Sequence, residues 1–323
     1  MPKNHAGLPR ATRTALSKQA LLGQLLVVDG TRENRERVLA LETAFRRKVD
    51  AHVASLPASN SALEEFNTSP FVLLIHARQR NYTKVSDLER DILPAKQFSS
   101  METSAGRMVE EVVLPAYGWQ CVASVMQTAN SALDGRKLDG GRLLLATLKS
   151  GPRCLNDEMS ENFADSILNN YEAWAHESGV SEVDFTYGVL YGTKKLSNKK
   201  DWHILRNVKE KNPAAITIDP ANRWDCAFIA NGIKVGVTVR IGLDWWTHLG
   251  GENCFVEVMA ALIRACISPG VSDPRDFSYS ISDMKTIVST AVVRDPYNVS
   301  LLQQSQLPWL FLMARHFCDT LTD

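Results

Sequence analysis

The stretch Asp139-Gly140-Gly141-Arg142-Leu143-Leu144-Leu145-Ala146-Thr147-Leu148-Lys149-Ser150-Gly151-Pro152 decides the fold class. Six uninterrupted residues, Leu143 to Leu148, lie between a glycine turn and a Gly-Pro stop. That length and lack of alternation fit a strand buried on both faces of a sheet, as parallel strands covered by helices are. Lys149 ends the strand, and a lysine there needs water or an anion, because burying an unpaired ammonium is costly.

Downstream, Asn156 or Asp157 caps an amphipathic helix that Gly179 closes, with Met159, Phe163, Ile167, Tyr171 and Trp174 on one face. Val183 to Tyr191 reads as the next strand. Trp224–Ala230 and Ile233–Ile241 flank Asn231-Gly232, a two-residue hairpin signal. Further helices start near Cys254 and Leu301. Upstream, a helix is expected from Met101 to about Tyr117, burying Met101, Ala105, Met108 and Val112, with a short strand from Trp119 to Val125.

The first hundred residues read as helices. Thr31 can cap one with Val38, Leu41, Phe45, Val49 and Val53 at helical spacing. Ser61 with Glu64, Ser86 with Glu89 and Ser99 with Glu102 have capping-box spacing, and Ser69-Pro70 marks another start. Pro57–Ser61, Leu196–Asp201 and Ser268–Ser278 read as loops. The resulting organisation is α/β: a helical N-terminal region, residues 1–98, then a core with C-terminal helices, residues 99–323.

Of the 323 residues, 45% are hydrophobic and 22% charged, which excludes disordered and fibrous classes. No apolar run reaches the roughly 18 residues a membrane span needs, and no signal-peptide pattern opens the chain, so a cytoplasmic protein is expected. The six cysteines form no CxxC pair, which disfavours a zinc site. Basic and acidic residues balance at 36 each, so a nucleic-acid surface would be a local patch.

The chemistry gathers around Lys149. Asp134 lies on the preceding segment, and Asp157, Glu158, Glu161 and Asp165 on the following helix, so lysine and carboxylates can meet at one end of the sheet, as a divalent-cation site requires. Phosphodiester cleavage needs a cation, carboxylates to hold it and a positive group near the developing charge. The turn dipeptides Asp134-Gly135 and Asp139-Gly140 also have a purely conformational reading. The histidines show no H-E-x-x-H grouping, and Ser150 lacks a G-x-S-x-G elbow.

In its order of helix, strand, strand with terminal lysine, helix and strand, the chain resembles the PD-(D/E)XK nucleases. Leu148-Lys149-Ser150-Gly151-Pro152 with Asn156 is similar to the L-K-S-G-P-x-x-x-N segment of a subset of type II restriction endonucleases. Thr103 to Glu110, with Gly106 four residues before Glu110, and Gly242-Leu243-Asp244-Trp245-Trp246 through Gly250-Gly251 extend the likeness over about residues 95 to 265. The sequence departs from the motif with Leu133 in place of proline and Thr147 in place of the second acidic residue.

The resemblance implies a restriction-endonuclease-like core with a mixed central sheet flanked by helices. It implies Mg2+-dependent cleavage of double-stranded DNA to 5′-phosphate and 3′-hydroxyl ends by a homodimer, with no nucleotide cofactor. Lys149, Asp134, Glu161 and Glu110 would be catalytic, and the helical N-terminal region would serve dimerisation or DNA contact. A glutamate on the following helix, Glu161 by spacing or Glu158 by helical geometry, would join Asp134 in holding the metal. For DNA contact the candidates are Arg153, Asn156 and the run Lys194, Lys195, Asn198, Lys199 and Lys200. Trp245 and Trp246 read as packing anchors. A DNA-binding protein with an inactive core, or a nuclease reading DNA structure, are the competing readings.

Overall fold

The first and last strands of the described residues form a small parallel sheet, β1 (Ala15–Ser17) beside β8 (Thr320–Thr322). The structure is a computed structural model describing residues 12–56, 70–122, 133–197, 199–220, 223–269 and 280–323. Lys18, the first residue of α1 (Lys18–Gly30), is buried there. Its ammonium donates to Thr286 O (2.9 Å), Ser289 O (3.2 Å) and Asp323 Oδ1 (2.7 Å), which occupies all three of its protons.

Helix α2 (Arg32–Ser55) follows at Thr31, whose side chain makes no capping bond. It buries Val38, Leu41 and Phe45 as their spacing predicts, and leaves Val53 exposed. After α3 (Pro70–Arg80) comes α4 (Glu89–Ala116). This helix runs through Pro94 and through Ser99 and Glu102, so no helix starts at Ser99, and a boundary at residue 98 falls inside it. Met101 and Ala105, expected in the core, are exposed. The Ser61–Glu64 pair and the 57–61 loop lie outside the described residues.

The central sheet has the order β2-β3-β4-β5-β7-β6. Strands β2 (Gln120–Cys121), β3 (Gly135–Asp139) and β4 (Arg142–Lys149) are successively antiparallel. Gly140 and Gly141, at φ 57° and 82°, make the tight turn between the last two. The apolar run is buried on both faces: Leu144, Ala146 and Leu148 enter one core, Leu143 and Leu145 the other. Burying each leucine contributes about 1.5–3 kcal/mol.

Helix α5 (Asp157–Ser178) crosses to β5 (Glu182–Val189), parallel to β4 with Lys149 opposite Val189. Asn156 caps α5 by accepting from Met159 N at 2.7 Å, and Gly179 closes it at φ 66°. Then α6 (Lys199–Lys211) begins inside the stretch read as a loop. Strands β6 (Asp225–Ala230) and β7 (Ile233–Ile241) turn at Asn231-Gly232 as predicted, and β7 lies parallel to β5.

Helix α7 (Leu243–Gly250) buries Trp245 and Trp246 completely, which makes them packing anchors. Helices α8 (Cys254–Cys266), α9 (Met284–Val288) and α10 (Leu307–Arg315) complete the chain, the last starting later than Leu301. Residues of α1 and α2 share one apolar core with α8 and α10, so the N-terminal helices are part of the main body. The fold is mixed α/β, a mixed central sheet flanked by helices. Among the described residues no helix is long and apolar enough to cross a membrane.

Candidate active site

Strand pairing brings Asp134 to the end of β4. Its N–H donates to Ala146 O at 2.9 Å, and its Oδ2 accepts from Leu148 N at 2.6 Å. Lys149, the next residue, is half-buried, its ammonium 5.8 Å from the centre of the Phe163 ring on α5. The aromatic face supplies a weak attraction and steers the side chain.

Helix α4 closes the site from the other side. Gly106 is buried against the Ser150 side chain so tightly that a Cβ there would stand 2.8 Å from Ser150 Oγ. One turn on, Glu110 is half-buried, within range of the charges of both Asp134 and Lys149. Burial pushes the Glu110 carboxyl up to about 7, the Asp134 charge adds to the rise, and Lys149 and Arg107 oppose it. Asp134 is also raised by burial, against the Leu148 N–H and Lys149, both of which favour its charged form.

The structure thus gathers three sequence candidates, Asp134, Lys149 and Glu110, and leaves the α5 glutamates apart. Glu161 is exposed and pairs with Lys211 of α6 at 3.0 Å, a lysine that also holds Asp165 at 2.6 Å. Glu158 is exposed in the first turn of α5. Neither figures among the leading charges on Glu110 or Asp134. Thr147, two residues before Lys149 and on the same face of β4, is buried where the second acidic residue would stand.

The expected DNA-contact residues divide. Lys194 pairs with Asp244 at 2.5 Å and lies over the Trp224 ring. Lys200 pairs with Asp157, and Asn156 is spent on its cap. All three side chains have partners within the chain. Arg153, at φ 72°, is exposed and its Nε donates to Leu196 O at 3.1 Å. Lys195 is exposed, Lys199 opens α6, and Asn198 lies outside the described residues.

Two supports of the site escaped the sequence reading. Asp201 is fully buried and accepts from Ser197 Oγ, from Tyr187 Oη at 3.5 Å and from the Arg153 backbone N–H, which pins the turn after Lys149. Tyr191 packs its phenol ring against Gly151, where a Cβ would lie 2.4 Å from the ring. Only a Ser-x-x-x-Asp spacing before α6 hints at the first, and nothing local at the second.

Among the described residues no group of three His, Cys, Asp or Glu side chains is placed to hold a metal. The Asp134–Glu110 pair still fits magnesium, which is usually held by one or two carboxylates with water and phosphate oxygens. A cation between them would favour the charged form of both carboxyls, which burial disfavours. No protein-family model matches the chain, and a comparison with curated proteins finds no match.

Proposed function

We propose that this chain is a magnesium-dependent endonuclease of double-stranded DNA, built on the PD-(D/E)XK core and of the type II restriction class. The observation that carries the reading is the meeting of Asp134, from the segment before β3, with Glu110 of α4 and Lys149 of β4 at the end of β4. The sheet order supports it, with β2, β3 and β4 antiparallel and α5 crossing to a parallel β5.

Asp134 and Glu110 would hold the cation, which when bound polarises the phosphodiester and acidifies water. Lys149 places a positive charge where a phosphate oxygen gains negative charge in the transition state, in a half-buried setting that strengthens the attraction. Burial holds the Glu110 carboxyl up at about 7 in the free chain, so binding a cation there would release its proton near neutral pH. Phe163 and the Gly106–Ser150 contact hold the lysine and the helix in place. The products are 5′-phosphate and 3′-hydroxyl ends.

A second reading, a DNA-binding protein without chemistry, is favoured by one observation: buried Thr147 occupies the position of an acidic ligand. Plasmid digestion with magnesium separates the two. Discrete fragments that vanish in Lys149→Ala, with DNA binding retained, support the nuclease. Intact plasmid across many sequences and divalent metals overturns it.

A further inference from the structure

The segment that follows β5 presses on the turn that follows Lys149. Leu190 N–H donates to Lys149 O at 2.9 Å, and the Tyr191 ring lies on Gly151. Gly192, at φ 102°, leaves room for Pro152, whose Cγ would stand 2.9 Å from a Cβ there. Three consecutive residues, 190 to 192, thus meet Lys149, Gly151 and Pro152.

Behind them stands Thr193, 1% exposed. Its carbonyl accepts from the N–H groups of Leu196 (3.0 Å) and Ser197 (2.9 Å), which folds 193–197 into a tight turn. That turn reaches Arg153 by two routes. Leu196 O accepts from Arg153 Nε at 3.1 Å, and Ser197 Oγ donates to Asp201, which also accepts the Arg153 backbone N–H. Arg153 needs this support, because φ 72° is a conformation that a residue with a side chain keeps only when its surroundings over-determine it.

The Thr193 hydroxyl points the other way and donates to Asp319 Oδ1 at 3.0 Å, across 126 positions of sequence. Asp319 Oδ2 accepts from Thr14 N at 2.9 Å, and Asp319 N–H donates to Thr14 O at 2.7 Å, beside the start of the β1–β8 sheet. His316 O, just before, accepts from Gly192 N at 3.0 Å. To hold the small sheet alone, Asp319 would need only Thr14. Its second oxygen is spent on a buried hydroxyl whose own segment ends on the turn after Lys149, and a bond to a charged acceptor is stronger than a neutral one.

We propose that Asp319 is a positioning residue for Lys149: through Thr193 and the 190–197 segment it fixes the turn at 150–153. Its effect on cleavage rests on the nuclease reading. Its effect on the turn does not.

Hydrogen exchange of the full chain, followed at the Arg153 amide without DNA or magnesium, is the test. Thr193→Val removes the donor and keeps the shape, Asp319→Ala removes the acceptor at a partly exposed position, and Thr193→Ser keeps the hydroxyl. The first two should exchange about tenfold faster at Arg153 and Thr193→Ser at the wild-type rate, with the β6–β7 hairpin unchanged in all three. Plasmid cleavage should follow the same order, with kcat lowered about tenfold and KM within about twofold, since a displaced lysine costs rate more than binding. Unchanged exchange at Arg153 overturns the proposal. So does equal acceleration in the β6–β7 hairpin, which would be general loosening, and so does a loosened turn that cuts at the full rate. If Arg153 responds as expected in a chain whose wild type leaves plasmid intact, the link to the turn stands and the nuclease reading falls.

Discussion

The acidic residues of α5 and those at the end of β4 lie close in sequence and have opposite fates. On α5, Asp157, Glu161 and Asp165 face water and α6 supplies their partners: Lys200 and the His203 ring for the first, Lys211 for the other two. Pairing with Lys200 and His203 holds the Asp157 carboxyl below its usual range. At the end of β4, Asp134 and Glu110 are half-buried and burial pushes both upward, Glu110 further by the charge of Asp134. Carboxylates already paired in solvent have little to gain from a ligand. Carboxylates desolvated beside a lysine gain a great deal, so the candidate chemistry belongs to β4 and α4.

The largest effect that sharpens this contrast is on cleavage. Lys149→Ala or Asp134→Ala should lower plasmid cleavage by about a thousandfold or more, the scale of removing charge stabilisation from a reacting phosphate. Glu161→Gln and Asp157→Asn should stay within about twofold, as exposed changes do. Initial rates under saturating magnesium check both. A Glu161→Gln variant as inactive as Lys149→Ala would put the metal site back on α5.

Next comes the seating of α4. Gly106→Ala puts a methyl group within 2.8 Å of Ser150 Oγ, so either the serine hydroxyl rotates away or the turn that follows Lys149 shifts from α4. Displacing Glu110 from Lys149 should slow cleavage roughly tenfold to a hundredfold, since misplacement of reacting groups is costly. Adding Ser150→Ala removes the colliding oxygen and should restore most of the rate. Loss that the second substitution does not relieve would show that the close approach is incidental.

What the sequence disclosed and what it hid follow the same division. The buried run Leu143–Leu148, the Asn156 cap and the Asn231-Gly232 turn are legible because each is fixed by local chemistry: continuous apolarity, one side-chain acceptor, two residues tolerant of positive φ. Asp134 and Lys149 are legible because strand pairing joins them within one hairpin. The fate of Glu161 is not, since its partner Lys211 is fifty positions away and only the packing of α6 on α5 brings them together. Ser99 and Glu102 have capping spacing yet sit inside α4, because the pattern also occurs where a helix merely continues. Asp201 is invisible for the same reason as Glu161: its donors come from β5, from the turn after β4 and from the loop before α6.

A smaller effect concerns stability and pH. Glu110 is raised from an unfolded value near 4.5 to about 7, so the folded chain holds this proton more tightly than the unfolded chain. The associated stability is fully present below about 4.5 and is lost as pH rises through 7. Glu110→Gln should therefore melt higher than wild type at pH 8 and near it at pH 5. Magnesium should raise the wild-type midpoint by about 3 °C at pH 8, with little effect at pH 5 where Glu110 is protonated. Calorimetry at the two pH values checks this without any cleavage assay, and equal magnesium stabilisation at both would remove Glu110 from the cation site.

The smallest expected effect lies on the α5 side and is a control on the whole contrast. Lys211 is lifted above its ordinary value by Asp165 and Glu161, but all three groups are in water. Exposed pairs gain little, because solvent screens the attraction and two long side chains lose rotamer freedom. Lys211→Ala should move the melting midpoint by only about 1 °C, and less in high salt. It also frees Glu161 and Asp165. If cleavage stays unchanged when those carboxylates are released, the α5 acids are structural neighbours of the site. If instead Lys211→Ala raises magnesium affinity or activity, a glutamate held away by Lys211 was the missing ligand, and the two acidic regions are alternative states of one site.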